Sequence, residues 1–133
     1  MKKYSTIALL TIFSAVAIAL AGFVNPEDKQ VRHIVVFKYK AGATEAQIAQ
    51  VTKAFGEMKK TIPGIVSFEH GVNDSPEKKN QGFTHVYQVT FESAQARDTY
   101  LPHPEHKKFG QLLKSLDILD DLFVVDYAAK VKL

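Results

Sequence analysis

The chain has 133 residues, no cysteine and a formal net charge of +3. The absence of cysteine excludes disulfide bonds, thiolate catalysis and cysteine-ligated metal sites. Part of the positive charge comes from Lys2 and Lys3, and the other lysines alternate with acidic residues instead of forming a basic stripe. A nucleic-acid partner is therefore not expected.

The N-terminus has the three parts of an export signal. Two lysines follow Met1, the stretch Ile7–Leu20 has no charged residue, and Ala19-Leu20-Ala21 offers small residues for cleavage before Gly22. We expect export to the periplasm or the cell exterior, with no membrane attachment after cleavage. The expected division of the chain is a signal peptide at residues 1–21, a polar linker at 22–30 and a domain at 31–130.

An uncleaved membrane anchor is the alternative interpretation of the same segment. The uncharged run continues to Val24, which brings it near the lower limit of about 17 residues for a helix that spans a bilayer. In either case about 110 residues remain for the folded part, which is the size of one domain.

The first predicted element is a strand from Val31 to Tyr39, because it is rich in β-branched and aromatic residues. Alternation places His33 and Phe37 on one face and Val36 on the other. Apolar residues stand on both faces at mid-strand, whereas one layer of helices covers only one face. The sequence therefore predicts a second subunit on the other face, and hence a homodimer.

An amphipathic helix is predicted next, with Thr44 as its N-cap. Gln47 completes a capping box, and Pro63-Gly64 stops the helix after about Lys60. The apolar face of this helix recurs at helical spacing through Ile48, Val51, Phe55, Met58 and Ile62.

The rest of the chain predicts two strands, a broken helix and a last strand. Ser93 caps a short helix that ends near Tyr100, and Pro104 suits the first turn of the helix that follows. The predicted strands are Ile65–Gly71, Phe83–Phe91 and Leu122–Tyr127. The order β-α-β-β-α-β predicts an α+β, ferredoxin-like fold with a four-stranded antiparallel sheet and helices on one face.

Several local sequences on these elements resemble one known family. The most distinctive is Tyr100 followed by His103-Pro104-x-His106, before the last helix. The others are VRHIVVFK at 31–38, GFTHV at 82–86, VTFES at 89–93 and Asp126-Tyr127. Over Val31 to Ala128 the chain is similar to the stress-responsive α/β-barrel (Dabb) family.

The resemblance implies a dimeric α+β barrel and, from one plant branch, a polyketide cyclase that uses a His/Tyr pair without metal or cofactor. Carried over to this chain, His106 would be the general base and Tyr100 its oxyanion or orienting partner. His33 and His85 would converge with them and line a pocket for a small apolar or aromatic ligand. Phe55 would also line it, at a position where the cyclase branch has a tyrosine.

Structural roles are open for the same residues. His33 and His85 could be hydrogen-bonded core residues, and His103 fits an N-cap. No pair of histidines has the helical i, i+4 spacing of a zinc site, so no metal or cofactor is expected. Three functions follow as alternatives: a non-catalytic binding or stress-protective protein, a cofactor-free lyase, cyclase or isomerase, and a purely structural dimer.

Overall fold

A computed structural model describes residues 29–130, so the expected signal peptide and most of the linker lie outside the described residues. Its elements, in chain order, are β1 (Val31–Tyr39), α1 (Glu45–Thr61), β2 (Ile65–Val72), β3 (His85–Phe91), α2 (Ala94–Tyr100), α3 (Pro104–Leu116) and β4 (Leu119–Ala128). Within this part of the chain, no helix is both long and apolar enough to cross a bilayer.

The four strands form one antiparallel sheet in the order β2-β3-β1-β4. β1 is central and pairs with β3 on one side and β4 on the other, which leaves β2 and β4 at the edges. This arrangement confirms the predicted ferredoxin-like fold.

The core lies between one face of the sheet and the helices. Thr44 caps α1 through the predicted capping box, and Ser93 caps α2. The buried core joins alternate residues of the two central strands to the inner faces of the helices: Val31, Val35, Phe37, Val51, Phe55, Met58, Ile62, Tyr87, Val89, Phe91, Ala96, Tyr100, Phe109 and Ile118.

The start of β3 differs from the prediction. Phe83 was expected on the same face as His85, but β3 begins only at His85, and the Phe83 ring packs on Phe123, with 5.0 Å between their centroids. Gln81 and Gly82 have φ angles of 51° and 85°. These left-handed residues turn the chain just before the strand, so the alternation of β3 does not extend back to Phe83.

The edge strand β4 exposes apolar side chains on both faces. Leu122 and Val124 point to the helix side, where they line a pocket with α3. Phe123, Val125 and Tyr127 alternate with them on the opposite face and are each nearly half exposed. The second face of the sheet is thus uncovered along β4 in the single chain, as the two-faced pattern of β1 predicts, whereas Val36 and Thr90 on the same face are buried.

Candidate functional site

A cavity of about 380 Å³ lies between α3 and the strands β1 and β4. It is lined mainly by apolar and aromatic side chains, with a few polar groups at one end. The lining residues are His33, Val35, Phe37, Phe55, Tyr100, Leu101, His106, Phe109, Gly110, Leu113, Leu122, Val124 and Asp126.

Tyr100 supplies a buried hydroxyl to this pocket. It is the last residue of α2, is 1% exposed, and packs against the rings of Phe91 and His33 at centroid distances of 4.9 and 5.8 Å. Its hydroxyl has no hydrogen-bond partner among the described residues. Burial raises the pKa of Tyr100, so the hydroxyl stays protonated and is available to donate a hydrogen bond.

His106 lies directly beside this tyrosine, with 4.3 Å between the ring centroids. Its Nδ1 is 2.9 Å from the carbonyl oxygen of Leu101. Because a carbonyl only accepts hydrogen bonds, Nδ1 must carry the proton, and Nε2 of the neutral ring is left as an acceptor. The geometry therefore prepares His106 to take up a proton at Nε2.

The position of His106 is set by the turn that precedes α3. His103 is the N-cap of this helix, and its Nδ1 accepts a hydrogen bond from the Glu105 amide at 3.2 Å. Pro104 occupies the first turn, where its missing amide has no intrahelical role. The N-cap role that the sequence suggests for His103 is confirmed, and this cap holds His106 in the first turn of α3.

His33 is buried and joins the pocket from β1, where it begins a hydrogen-bonded chain to the partly exposed Asp126 and Arg97. Its Nδ1 donates to Asp126 Oδ1 at 2.6 Å, and Arg97 Nη1 donates to Asp126 Oδ2. Burial lowers the pKa of His33 and outweighs the opposing effect of Asp126. Partial burial acts to raise the pKa of Asp126, but the hydrogen bonds from Arg97 and His33 prevail and lower it.

Phe55 forms the inner wall of the pocket. It is 2% exposed and packs on Phe109, with 4.6 Å between centroids, and on Tyr87 at 5.2 Å. This wall is apolar, because the Tyr87 hydroxyl is turned to Tyr39 and Thr52, at 3.0 and 2.9 Å.

His85 does not converge with the other three, so this expectation is wrong. It pairs with Phe37 on β1, four residues along the strand from His33, which is about 13 Å at the rise of a β-strand. There it packs against Tyr39, at a centroid distance of 4.8 Å, and bonds Thr84 Oγ1 at 2.9 Å. The shared face was predicted correctly, but the antiparallel register places the two histidines at opposite ends of the sheet.

Asp126 and Gly110 are among the pocket residues that were not predicted from the sequence. Asp126 interrupts the apolar alternation of Leu122 and Val124, and in the register it lies opposite His33. A charged residue on the inner face of a strand, opposite a histidine, was the available signal. Gly110 gave no signal, because a glycine within an amphipathic helix does not by itself indicate a cavity.

Metal-binding groups are not clustered in the described part of the chain. Among residues 29–130, no three side chains of histidine, aspartate or glutamate are close enough together to hold one ion.

Residues 31–129 match the family model described as the Stress responsive A/B Barrel Domain. Olivetolic acid cyclase of Cannabis sativa is 32% identical over 100 residues, which cover 75% of this chain and 97% of that protein.

Two solved structures are also similar. Hydroxynitrile lyase from Passiflora edulis superimposes with a TM-score of 0.71 at 25% identity, covering 80% of this chain and 98% of that one. A dimeric protein of ferredoxin-like fold from Bacteroides fragilis gives a TM-score of 0.57 at 25% identity, covering 75% and 96%.

Proposed function

The chain belongs to the stress-responsive A/B barrel domain family, and from that premise we propose that it binds a small, mainly apolar molecule with one hydrogen-bond acceptor. The binding site is the pocket between the sheet and α3. The Tyr100 hydroxyl, which is buried and has no partner among the described residues, carries this proposal. A buried polar group without a partner costs roughly 1–3 kcal/mol, and a ligand carbonyl oxygen would remove that cost.

The shape and lining of the pocket support the same ligand class. A volume of about 380 Å³ is in the range of small-molecule sites. Phe55 and Phe109 offer a flat apolar wall for an aliphatic or aromatic group, while the polar groups of Tyr100 and His106 lie together at one end. An elongated molecule with a single carbonyl group fits this distribution.

Native mass spectrometry tests the binding proposal on protein recovered from the exported fraction of its host. The expected result is a protein species that carries an additional small mass. The Tyr100→Phe variant should lose most of this mass, whereas Tyr39→Phe, whose hydroxyl lies outside the pocket, should retain it. Protein that carries no additional mass, and gains none from a panel of apolar ketones and aldehydes, would overturn the proposal.

A second candidate function is catalysis by His106 and Tyr100, and the tautomer of His106 favours it. Nε2 of His106 would take a proton from the carbon next to the ligand carbonyl, and the resulting enolate oxygen would accept a hydrogen bond from Tyr100. Return of the proton to carbon, or attack of the enolate on a second carbonyl, completes an isomerase or cyclase reaction. The similar proteins named a cyclase and a lyase support this candidate.

The two candidates are separated by His106→Ala. For an enzyme, this variant keeps its affinity for the ligand but loses about 100-fold to 10,000-fold in turnover, which is the usual contribution of a general base. For a binding protein, affinity is again unchanged, and no turnover of any bound ligand is found in the parent protein.

We also propose that the protein works as an exported homodimer. The uncovered sheet face with Phe123, Val125 and Tyr127 supports the second subunit, and so does the dimeric Bacteroides fragilis protein of the same fold. The expected result of analytical ultracentrifugation is a dimer that Val125→Glu converts to a folded monomer. Val66→Glu, at an exposed position on the other edge strand, is the matched control and should remain dimeric.

A further inference from the structure

The pocket opens at the edge of the sheet through a patch of exposed apolar side chains. Leu101, Leu122 and Val124 line the pocket and are still 46%, 40% and 48% exposed. We call these three residues the mouth surface. The mouth surface lies on the helix side of β4. It is a separate surface from Phe123, Val125 and Tyr127, which lie on the opposite face of the strand.

Two exposed lysines lie beside the mouth surface on α3, and two more lie further along, past the end of β4. At 100° per residue, Lys107 and Lys114 fall on the flank of α3 next to the pocket residue Gly110. Lys29 and Lys130 lie at the end of the sheet where β1 begins and β4 ends. All four are exposed, and none forms an ion pair with another residue of the described range 29–130.

Of the three carboxylates on β4, Asp121 falls with Phe123 on the opposite face of the strand by alternation, and the other two are paired. Asp126 is bound by Arg97 and His33, and Asp120 is paired with Lys38 at 3.1 Å. The rim therefore combines an apolar centre with unpaired positive charge, which is the combination that binds to the interface of anionic membranes.

The chain enters the domain at the end of the sheet where Lys29 and Lys130 lie. Gln30 accepts a backbone hydrogen bond from Ala129 at 3.3 Å, and Val31 pairs with Ala128. Only the six residues 25–30 separate this point from the uncharged run that ends at Val24, and six residues reach at most about 20 Å. Export carries the domain across a membrane, and retention of the run as an anchor holds the domain beside one. Docking would therefore replace the expectation of no membrane attachment after cleavage.

We propose that the mouth surface docks on a lipid bilayer that contains anionic headgroups, and that the pocket takes its ligand from this bilayer. The ligand class is then an apolar carbonyl compound dissolved in the membrane, in place of a water-soluble metabolite. This choice of ligand rests on the proposed function, whereas the docking does not. Docking through Leu122 and Val124 leaves the opposite face of β4 free for the second subunit.

The natural sequence contains no tryptophan, so a single tryptophan can report which side of the domain meets the lipid. Val124→Trp places it on the mouth surface. Val72→Trp is the matched control on the opposite edge strand β2, at a position that is 64% exposed. Each full-length variant is incorporated into vesicles of phosphatidylglycerol and a brominated phosphatidylcholine, because bromine quenches tryptophan only on contact with the acyl chains.

The expected result is several-fold stronger quenching for Val124→Trp than for Val72→Trp. Adding Lys107→Gln and Lys114→Gln to Val124→Trp should weaken docking by about fivefold for each lysine and reduce the quenching accordingly. Equal quenching at the two positions, or none at position 124, would overturn the proposal and leave the mouth surface to a protein partner. If Val124→Trp does not fold, Leu101→Trp tests the same surface.

The ligand is tested separately on the same vesicles. A bilayer-dissolved apolar ketone should appear on the parent protein by native mass spectrometry and not on Gly110→Leu, which fills the pocket. Quenching at position 124 without ligand uptake would refute the proposed binding function and the loading step, but not the docking. Uptake without quenching would refute the docking alone.

Discussion

The ring of His106 lies 4.3 Å from the ring of Tyr100, and yet the Tyr100 hydroxyl makes no hydrogen bond with any described residue. His106 directs its protonated Nδ1 to the backbone of Leu101, so this nitrogen is not the hydrogen-bond partner of the Tyr100 hydroxyl. The acceptor Nε2 of His106 and the donor hydroxyl of Tyr100 thus lie at one end of an apolar pocket without a hydrogen bond between them. This pairing provides the basis for recognising a carbonyl compound.

Removal of the Tyr100 hydroxyl should not destabilise the free protein. Because the buried hydroxyl has no partner, we expect Tyr100→Phe to leave the free energy of unfolding unchanged or to raise it by about 1 kcal/mol. Tyr39→Phe is the matched control, since its hydroxyl bonds Tyr87 at 3.0 Å, and it should cost about 1 kcal/mol. Urea unfolding measures both. A loss above about 1 kcal/mol for Tyr100→Phe would show that its hydroxyl is bonded in the free protein.

Gly110 offers a way to fill the pocket without disturbing the core. A Cβ at this position has no neighbouring atom within 4 Å, and glycine is about 1 kcal/mol less favourable than alanine inside a helix. We expect Gly110→Leu to retain or raise the melting temperature and to abolish ligand binding. Gly110→Ala should give a similar thermal gain and keep most of the binding. Equal binding by both variants would place the ligand elsewhere.

The turn between α1 and β2 supports the helix that ends in Tyr100. Gly64 has a φ of 85°, and a Cβ at this position would lie 2.6 Å from the Cβ of Ala96 in α2. We expect Gly64→Ala to cost about 1–3 kcal/mol from the backbone strain alone, and to weaken ligand binding by displacing α2. Gly42→Ala, where a Cβ meets nothing within 4 Å, should stay within about 0.5 kcal/mol of the parent in the same unfolding experiment.

The fold was predictable because each of its elements has a local signal. The capping box at Thr44, the Pro63-Gly64 stop and the alternation of β1 each depend on neighbouring residues, and the structure agrees with all three. The error at Phe83 has a local origin as well. The left-handed conformation of Gln81 depends on tertiary packing and is not a preference of glutamine, so the sequence did not reveal where β3 begins.

The candidate site was predictable only in part. Tyr100 and His106 lie on consecutive helices close in sequence, so their spacing was informative. The relation of His33 to Asp126 depends on the register of β1 with β4 across 93 residues, and the distance between His33 and His85 depends on the register with β3. Strand register is set by the whole sheet, which explains why a shared face was correctly predicted and a shared site was not.

The hydrogen-bonded chain of Arg97, Asp126 and the buried His33 makes stability depend on pH. Burial lowers the pKa of His33 from its ordinary value of 6.5, so below pH 6.5 the unfolded chain binds a proton that the folded protein does not. The contribution of His33 to the free energy of unfolding is therefore fully present above pH 6.5 and is lost as the pH falls below that value. Asp126, whose pKa is lowered from 3.8, adds a second loss below that pH, with the same sign.

Asp126→Asn separates the effect of burial on the pKa of His33 from the effect of the Asp126 carboxylate. The carboxylate opposes the effect of burial on His33, so its removal should lower the pKa of His33 further and widen the range over which stability falls with pH. Titration of the His33 ring by NMR gives the pKa, and urea unfolding between pH 5 and 8 gives the stability. His33→Gln should remove this loss and leave the one from His85, whose pKa burial also lowers. A rise in the pKa of His33 in Asp126→Asn would mean that burial does not dominate at this site.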